Sequence, residues 1–304
     1  TDPDLTFSML HRALSLLVLL LASCAHTSSG ARVVSRTDAA LARQLQQMTA
    51  GFGGDVGSYV RHLPTGREVA IRADEVFPTA SMVKVPLLVA LYDRVEQGAI
   101  KLDSAFVFQD TMRYADYDLS GKLREGQTLT PRELAFLMIG LSDNTASLWL
   151  QRLVGTGAEV NRWLAANGFQ HTRVNSRTPG RDAARTEHGW GQTTPREIAE
   201  LMVRIREGRA VSPQASEQMY RTLTNNAWED VAASVIPPHI QVASKYGAVD
   251  RFRGEVLLVN APRGDYVLAV LAKNLQDQSW KPDNAAWTLT RNISRTVYQH
   301  FNGR

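Results

Sequence analysis

The stretch Phe77-Pro78-Thr79-Ala80-Ser81-Met82-Val83-Lys84-Val85-Pro86-Leu87-Leu88 carries a hydroxyl and an amine three residues apart, where a polar break runs into an apolar helical pattern. If a helix starts at Ser81, Lys84 stands one turn along the same face and its amine reaches the serine hydroxyl. That places a nucleophile beside a potential base. A helix start adds unpaired backbone N–H groups and the positive dipole end, both of which favour negative charge developing nearby. By itself the pattern decides nothing, because Ser-x-x-Lys arises by chance roughly once in a chain of this length. Two further stretches carry similar side chains. Leu141-Ser142-Asp143-Asn144-Thr145-Ala146 has a plain reading as a helix cap, since Ser, Asp and Asn all favour that position and Thr145 to Leu153 can be helical. Ser244-Lys245-Tyr246-Gly247 reads, taken alone, as an exposed strand.

The elements that must position these groups are legible in the pattern. Asp38 to Met48 has Leu41, Leu45 and Met48 at helical spacing. Val56 to Leu63 and Arg67 to Arg72 alternate as strands around a Pro64-Thr65-Gly66 turn, a hairpin that delivers the chain to Ser81. Helical patterns dominate from Ser81 to about Asn225, beginning with Met82 to Glu96 and its Gly98 stop. Thr130-Pro131-Arg132-Glu133 and Thr194-Pro195-Arg196-Glu197 each present a cap residue, proline at the first helical position and glutamate at the third, and predict two capping boxes. Ser212-Pro213 opens another helix in the same way. Val242 to Gly247, Gly254 to Asn260 and Tyr266 to Lys273 predict strands, and Asp283 to Phe301 a closing helix. Strands at both ends of the chain with helices between them predict an α+β fold, one antiparallel sheet with a helical domain inserted into it. The cleft between two such lobes is the expected place for a site.

Composition bounds the function. The chain has 304 residues, 44% hydrophobic and 21% charged, enough to bury a full core. Its net charge of +4 comes from scattered residues with no Lys/Arg run, which argues against a nucleic-acid partner. The seven histidines show no His-x-x-x-His spacing and the single cysteine lies near the N-terminus, so neither a metal site nor a cofactor is expected.

That N-terminus carries an address. His11 and Arg12 precede the apolar run Ala13 to Ala22, too short to span a bilayer but suited to an export signal. The run ends in Leu21-Ala22-Ser23-Cys24, which resembles a bacterial lipobox, so Cys24 is expected to be lipidated and to anchor an exported protein in the periplasm or cell envelope. Residues 1–24 are then signal, 25–36 a small polar tether, and 37–304 the catalytic domain, with an α/β lobe from 37–76 and 231–304 and a helical lobe from 77–230. Cys24 being alone rules out an intrachain disulfide.

Taken in order and at these separations, the three stretches resemble the serine β-lactamase and penicillin-binding protein superfamily, and within it the class A β-lactamases, from about Thr37 to the C-terminus. The resemblance implies that Ser81 attacks a carbonyl to form an acyl-enzyme, with Lys84 as base or proton shuttle and Ser142 relaying a proton to the leaving nitrogen. It implies that Lys245 supplies positive charge that keeps Lys84 partly neutral and attracts a substrate carboxylate. Asn144 would orient the substrate amide and Lys84, and the N–H groups of Ser81 and Ala248, beside Gly247, would form an oxyanion hole. Arg253 is a further candidate for carboxylate binding. Two departures stand out. Class A enzymes carry a water-activating glutamate in a Glu-Pro-x-x-Asn loop, whereas alignment from Thr172-Arg173 puts Thr178-Pro179 at Glu-Pro and Asp182 at Asn. Asp182 or Glu187 could substitute if the loop runs differently, but exposed loop charges are the better expectation for both. Tyr246 replaces the Thr or Ser usual after the strand lysine.

The expectation is a monomeric serine hydrolase acting on a small β-lactam or a cell-wall peptide, better equipped for acylation than for release. A D,D-carboxypeptidase or esterase is the first alternative, and a binding or sensing module without turnover the second.

Overall fold

Residues 35–115 and 117–303 are described by a computed structural model. The signal, Cys24 and most of the tether therefore lie outside the described residues. The chain opens with a short strand β1 (Arg36–Thr37), helix α1 (Ala39–Thr49) and the hairpin β2 (Asp55–His62) and β3 (Arg67–Ile71). Asp38 caps α1 by accepting the Leu41 N–H at 3.2 Å. Next come β4 (Phe77–Pro78), a single 3-10 turn over Ala80–Val83, and α2 (Lys84–Glu96). A two-stranded ribbon, β5 (Phe106–Val107) with β6 (Thr128–Leu129), leads to α3 (Pro131–Gly140), α4 (Asn144–Leu153) and α5 (Thr156–Ala166). After β7 (Arg173–Val174), α6 (Asp182–His188) and β8 (Gly191–Thr193) come α7 (Pro195–Arg206) and α8 (Pro213–Leu223). The chain closes with β9 (Val242–Val249), β10 (Phe252–Val259), β11 (Tyr266–Lys273) and α9 (Ala285–Asn302).

The main sheet runs β1-β3-β2-β11-β10-β9, so strands from both chain ends share one sheet and meet where β2 pairs with β11. Its pairings are antiparallel except for the two-residue β1, which lies parallel to β3. β10 is buried along its full length and β11 up to Lys273. Burial on both faces explains why β11 up to Ala272 and β10 from Val256 to Val259 read as continuous apolar runs rather than alternating ones. Val256 and Leu258 join the core that also holds the buried faces of α2, α3, α4, α7 and α8, whereas Leu257 and Val259 join the core under α1 and α9, the period of two that a sandwiched strand dictates.

Two local expectations are corrected. The α-helix does not start at Ser81: it starts at Lys84, and Ser81 sits in the tighter 3-10 turn before it. The two capping boxes also differ. Thr130 and Glu133 form the reciprocal pair, with the Glu133 N–H on Thr130 Oγ1 at 3.2 Å and the Thr130 N–H on Glu133 Oε2 at 2.8 Å. Thr194 caps α7 in the ordinary way, but Glu197 turns outward from its own helix. Its carboxylate takes the N–H groups of Gln170 (2.7 Å), His171 (3.0 Å) and Thr172 (2.6 Å), together with the Thr172 hydroxyl. Glu197 therefore pins the start of the loop that runs from Thr172 to β8.

Glu133→Ala should cost about 0.5 to 1 kcal/mol, the worth of a cap contact. Glu197→Ala strands several backbone donors and should cost on the order of 2 to 3 kcal/mol. Urea unfolding midpoints of the two variants compare these losses, and equal losses would refute the distinction.

Candidate active site

The placement of Ser81 begins with a strained backbone. Ala80 has φ +44°, in the left-handed region that a residue with a Cβ rarely adopts, and Thr79 is held beside it by donating its N–H to Gly191 O at 3.0 Å. Strand β9 then lies directly on the 3-10 turn. A Cβ on Gly247 would stand 2.4 Å from Thr79 O and 2.8 Å from Ser81 N, so only glycine permits this approach. The contact brings Ala248 to the same cleft as Ser81. β9 is the edge strand of the sheet, so its outer backbone groups have no strand partner.

Lys84 is fully buried and its Nζ is surrounded by four oxygens: Ser142 O at 2.6 Å, Asn144 Oδ1 at 2.8 Å, Ser81 Oγ at 3.0 Å and Ser142 Oγ at 3.1 Å. Two of these, the carbonyl and the amide oxygen, can only accept. A neutral amine has two N–H donors to give them and one lone pair left, which the Ser81 hydroxyl is placed to fill. The electrostatics agree. Burial, followed by the nearby Lys245 charge, pushes the Lys84 amine well below its usual range, with Asp118 and Asp143 opposing.

Ser142 and Asn144 are aimed at Lys84 by the link between α3 and α4. Ser142 takes φ +57°, turning its carbonyl and its hydroxyl toward the amine. Asp143 caps α4, accepting the Ala146 N–H at 2.7 Å, and also takes the N–H and hydroxyl of Ser120 at 2.8 and 2.5 Å. Asp118 reciprocates by accepting the N–H of Thr145 at 2.9 Å and of Asn144 at 3.2 Å. Two buried carboxylates thus bolt the 118–120 loop to the start of α4. Asp143 carries the capping role read from sequence, whereas nothing in the local pattern marked Asp118.

Lys245 is fully buried on β9, and burial lowers its amine to about 7, with Glu255 opposing. Among the described residues its one side-chain bond is to Tyr246 O at 3.1 Å, with none to Ser142. Glu255, which sequence reasoning missed, stands opposite Tyr246 in the β9–β10 register. Burial raises it to about 7, although Oε2 accepts the Ala232 N–H at 2.7 Å. Oε1 has no partner.

Ser81, Ser142, Asn144, Tyr246 and Ala248 all line one cleft of about 680 Å³. Arg253 is not among the lining residues but packs behind one of them, Trp280. Its guanidinium donates to Phe252 O and Ser279 O at 3.0 Å each and to Val249 O, and lies between the rings of Trp280 and Trp287. Asp182 and Glu187 lie on α6, both exposed, and neither lines the cleft. Thr178, at the position where the family glutamate is expected, is buried and donates its hydroxyl to Ser176 O at 2.9 Å. Its Oγ1 packs where a Cβ on Gly157 would be, against α5. Among the described residues, no group of three or more His, Cys, Asp or Glu side chains is arranged to hold a metal ion.

Residues 40–301 match the model of the Beta-lactamase enzyme family. A β-lactamase from Streptomyces albus G is 27% identical over 289 residues, covering 91% of this chain and 91% of that protein. A second, from Streptomyces fradiae, is 30% identical over 204 residues, 66% of this chain and 64% of that protein. Among solved structures, PBP-A superposes with a TM-score of 0.78 at 27% identity, covering 88% of this chain and 97% of its own. An ancestral class A β-lactamase gives 0.75 at 27% identity, covering 86% of this chain and all of its own.

The buried Glu255 gives a pH-dependent prediction. A carboxyl raised from 4.5 to about 7 holds its proton more tightly in the fold than in the unfolded chain. Its contribution is therefore full below the unfolded value and is lost as pH rises through the folded one. Glu255→Gln keeps an acceptor for the Ala232 N–H but cannot ionise. Thermal unfolding at pH 5 and pH 8 should show the variant gaining on the parent by on the order of 2 kcal/mol at the higher pH. A gap that does not change with pH would refute the assignment.

Proposed function

Because the chain belongs to the Beta-lactamase enzyme family, we infer that it is a serine hydrolase that opens β-lactam rings through an acyl-enzyme on Ser81 and releases the product slowly. The observation that carries this reading is the four-oxygen cage around Lys84 Nζ. Ser142 O and Asn144 Oδ1 can only accept N–H groups and Nζ lies 3.0 Å from Ser81 Oγ, so that the neutral amine has its lone pair left for the Ser81 proton.

In this reading Lys84 takes the Ser81 proton as the hydroxyl oxygen adds to the carbonyl carbon. The developing oxyanion is received by the N–H groups of Ser81 and Ala248, each worth on the order of 3 kcal/mol by general precedent. The proton then passes from Lys84 to the Ser142 hydroxyl, 3.1 Å away, and from Ser142 to the leaving nitrogen. Asn144 fixes the Lys84 amine, and the Lys245 charge disfavours a second cation beside it. An amine with its ordinary pKa would be protonated at neutral pH and useless as a base, so its burial is part of the chemistry.

Release is the weaker half. Thr178 offers no carboxylate where the family glutamate is expected, and Asp182 and Glu187 point to solvent on α6. Water must then reach the acyl-serine without a dedicated base. The same absence favours a second reading, a cell-wall peptide D,D-carboxypeptidase. Export, with a lipid anchor on Cys24 and a monomeric domain at the envelope, completes the proposal.

Intact-mass measurement after mixing with benzylpenicillin should show a long-lived single adduct on the parent and none on Ser81→Ala. Lys84→Ala should slow adduct formation by roughly 10²- to 10⁴-fold. Rapid adduct loss with multiple turnover of nitrocefin would overturn slow release, and hydrolysis of D-Ala-D-Ala peptides faster than of penicillins would favour the second reading.

A further inference from the structure

Among the described residues the Ser142 hydroxyl has one hydrogen-bond partner, Lys84 Nζ at 3.1 Å, so its aim depends on the backbone beneath it. That backbone is in an unfavourable state. Ser142 takes φ +57°, and a residue with a Cβ stays there only where its surroundings impose it. Because each peptide unit is planar and rigid, the two planes flanking the Ser142 Cα fix its φ and ψ, and with them the direction of the side chain. The plane after Ser142 is held twice: Ser142 O accepts from Lys84 Nζ at 2.6 Å, and the Asp143 N–H donates to Leu137 O at 3.1 Å. The plane before it carries Leu141 O, and that oxygen accepts the indole N–H of Trp228 at 3.0 Å.

Trp228 is 44% exposed, so core packing does not account for a tryptophan here, and its one polar group is engaged by Leu141 O. The chain around it forms a strap between two walls of the cleft. Toward α3, the Ala227 N–H donates to Gly140 O at 2.9 Å, and a Cβ on Gly140 would stand 2.8 Å from Asn225 O, so glycine permits this close approach. Toward β9, the buried Asn226 amide donates to Ser244 Oγ at 3.0 Å, one residue before Lys245, while its Oδ1 accepts the Trp228 backbone N–H at 3.1 Å. The Trp228 ring leans on Tyr246, one residue after Lys245, with centroids 6.0 Å apart. The strap thus ties the segment that carries Ser142 to the strand that carries Lys245.

We propose that Trp228 is a positioning residue for proton delivery: its indole N–H pins the peptide plane ahead of Ser142 and so keeps the Ser142 hydroxyl aimed at the leaving nitrogen. The proposal rests on the acyl-serine reading. In that step Ser81 Oγ bonds to the acyl carbon, the bond from that carbon to the leaving nitrogen breaks, and the proton lost by Ser81 reaches the nitrogen by way of Lys84 and Ser142. Trp228 takes no proton itself. An amide nitrogen needs that proton in order to depart, whereas 4-nitrophenolate departs without one. A residue that acts through Ser142 therefore matters for the first kind of leaving group and not for the second, while a general loosening of the fold would slow both alike.

Trp228→Phe keeps an aromatic ring and removes the donor. In this variant the ratio of two acylation rates, benzylpenicillin followed by intact mass over 4-nitrophenyl acetate followed by the nitrophenolate burst, should fall roughly 10- to 100-fold, the loss expected when a proton-transferring group is misplaced. An unchanged ratio would overturn the proposal. Introduced into Ser142→Ala, Trp228→Phe should slow penicillin acylation no further, since the hydroxyl it aims is gone. Losses that multiply would show Trp228 acting on the substrate directly and would overturn the proposal as well. A third readout needs no acylation: hydrogen exchange over residues 137–146 should quicken severalfold in Trp228→Phe, with α9 as the control, and unchanged exchange would overturn the pinning of Ser142. If neither probe acylates the parent, the acyl-serine reading fails, and the exchange measurement alone decides whether Trp228 positions Ser142.

Discussion

The arrangement at the cleft depends on one amine being kept out of water. Lys84 has no exposed surface, lies near a second buried lysine, and meets more oxygens than an ammonium has protons to give them. Burial and the Lys245 charge disfavour the cation, while the oxygens hold the amine within reach of the Ser81 hydroxyl. The opposing carboxylates, Asp118 and Asp143, are occupied by N–H and O–H donors from Ser120, Asn144, Thr145 and Ala146. They hold the loop in place without forming an ion pair with the amine.

Keeping that amine in register with Ser81 requires three distant pieces of chain to meet. The 3-10 turn supplies Ser81, the link between α3 and α4 supplies Ser142 and Asn144, and the edge strand β9 supplies Lys245 and Ala248. Gly247 is the hinge of this arrangement, because a side chain there would run into the Thr79 carbonyl and the Ser81 nitrogen. Strain is concentrated at the same place. Ala80 and Ser142, one beside and one within the constellation, both adopt left-handed backbone conformations. Such conformations persist where surrounding contacts over-determine them, and here sheet pairing, caps and buried carboxylates do so.

The two sides of the cleft are built to different standards. On the acylation side the oxygens of Ser81, Ser142 and Asn144 all lie within hydrogen-bond distance of the Lys84 amine. On the far side the loop from Thr172 to β8 is firmly anchored by Glu197 but presents no acid toward Ser81. Thr178 is turned into the packing against α5, and the α6 carboxylates stay in water.

Much of this was legible in the sequence. Periodicity located α1, α2, α9 and the strands at both ends, since burial on one helical face or on both sheet faces leaves a pattern in the residue order. Proline and hydroxyl caps marked α3, α7 and α8 because capping is a local bond. The resemblance selected Ser81, Lys84, Ser142 and Lys245 as a set. What local order could not encode was anything decided between distant segments. Glu197 looked like a capping glutamate because its alternative partners lie 25 to 27 residues away in sequence. Nothing in local order shows the Arg253 guanidinium packed against two indole rings, or Glu255 set opposite Tyr246 by the strand register. Sequence by itself determined which elements form and which residue types are on hand for chemistry. The tertiary structure alone decided which of them lose their water, because desolvation is a property of what surrounds a group and not of its neighbours along the chain.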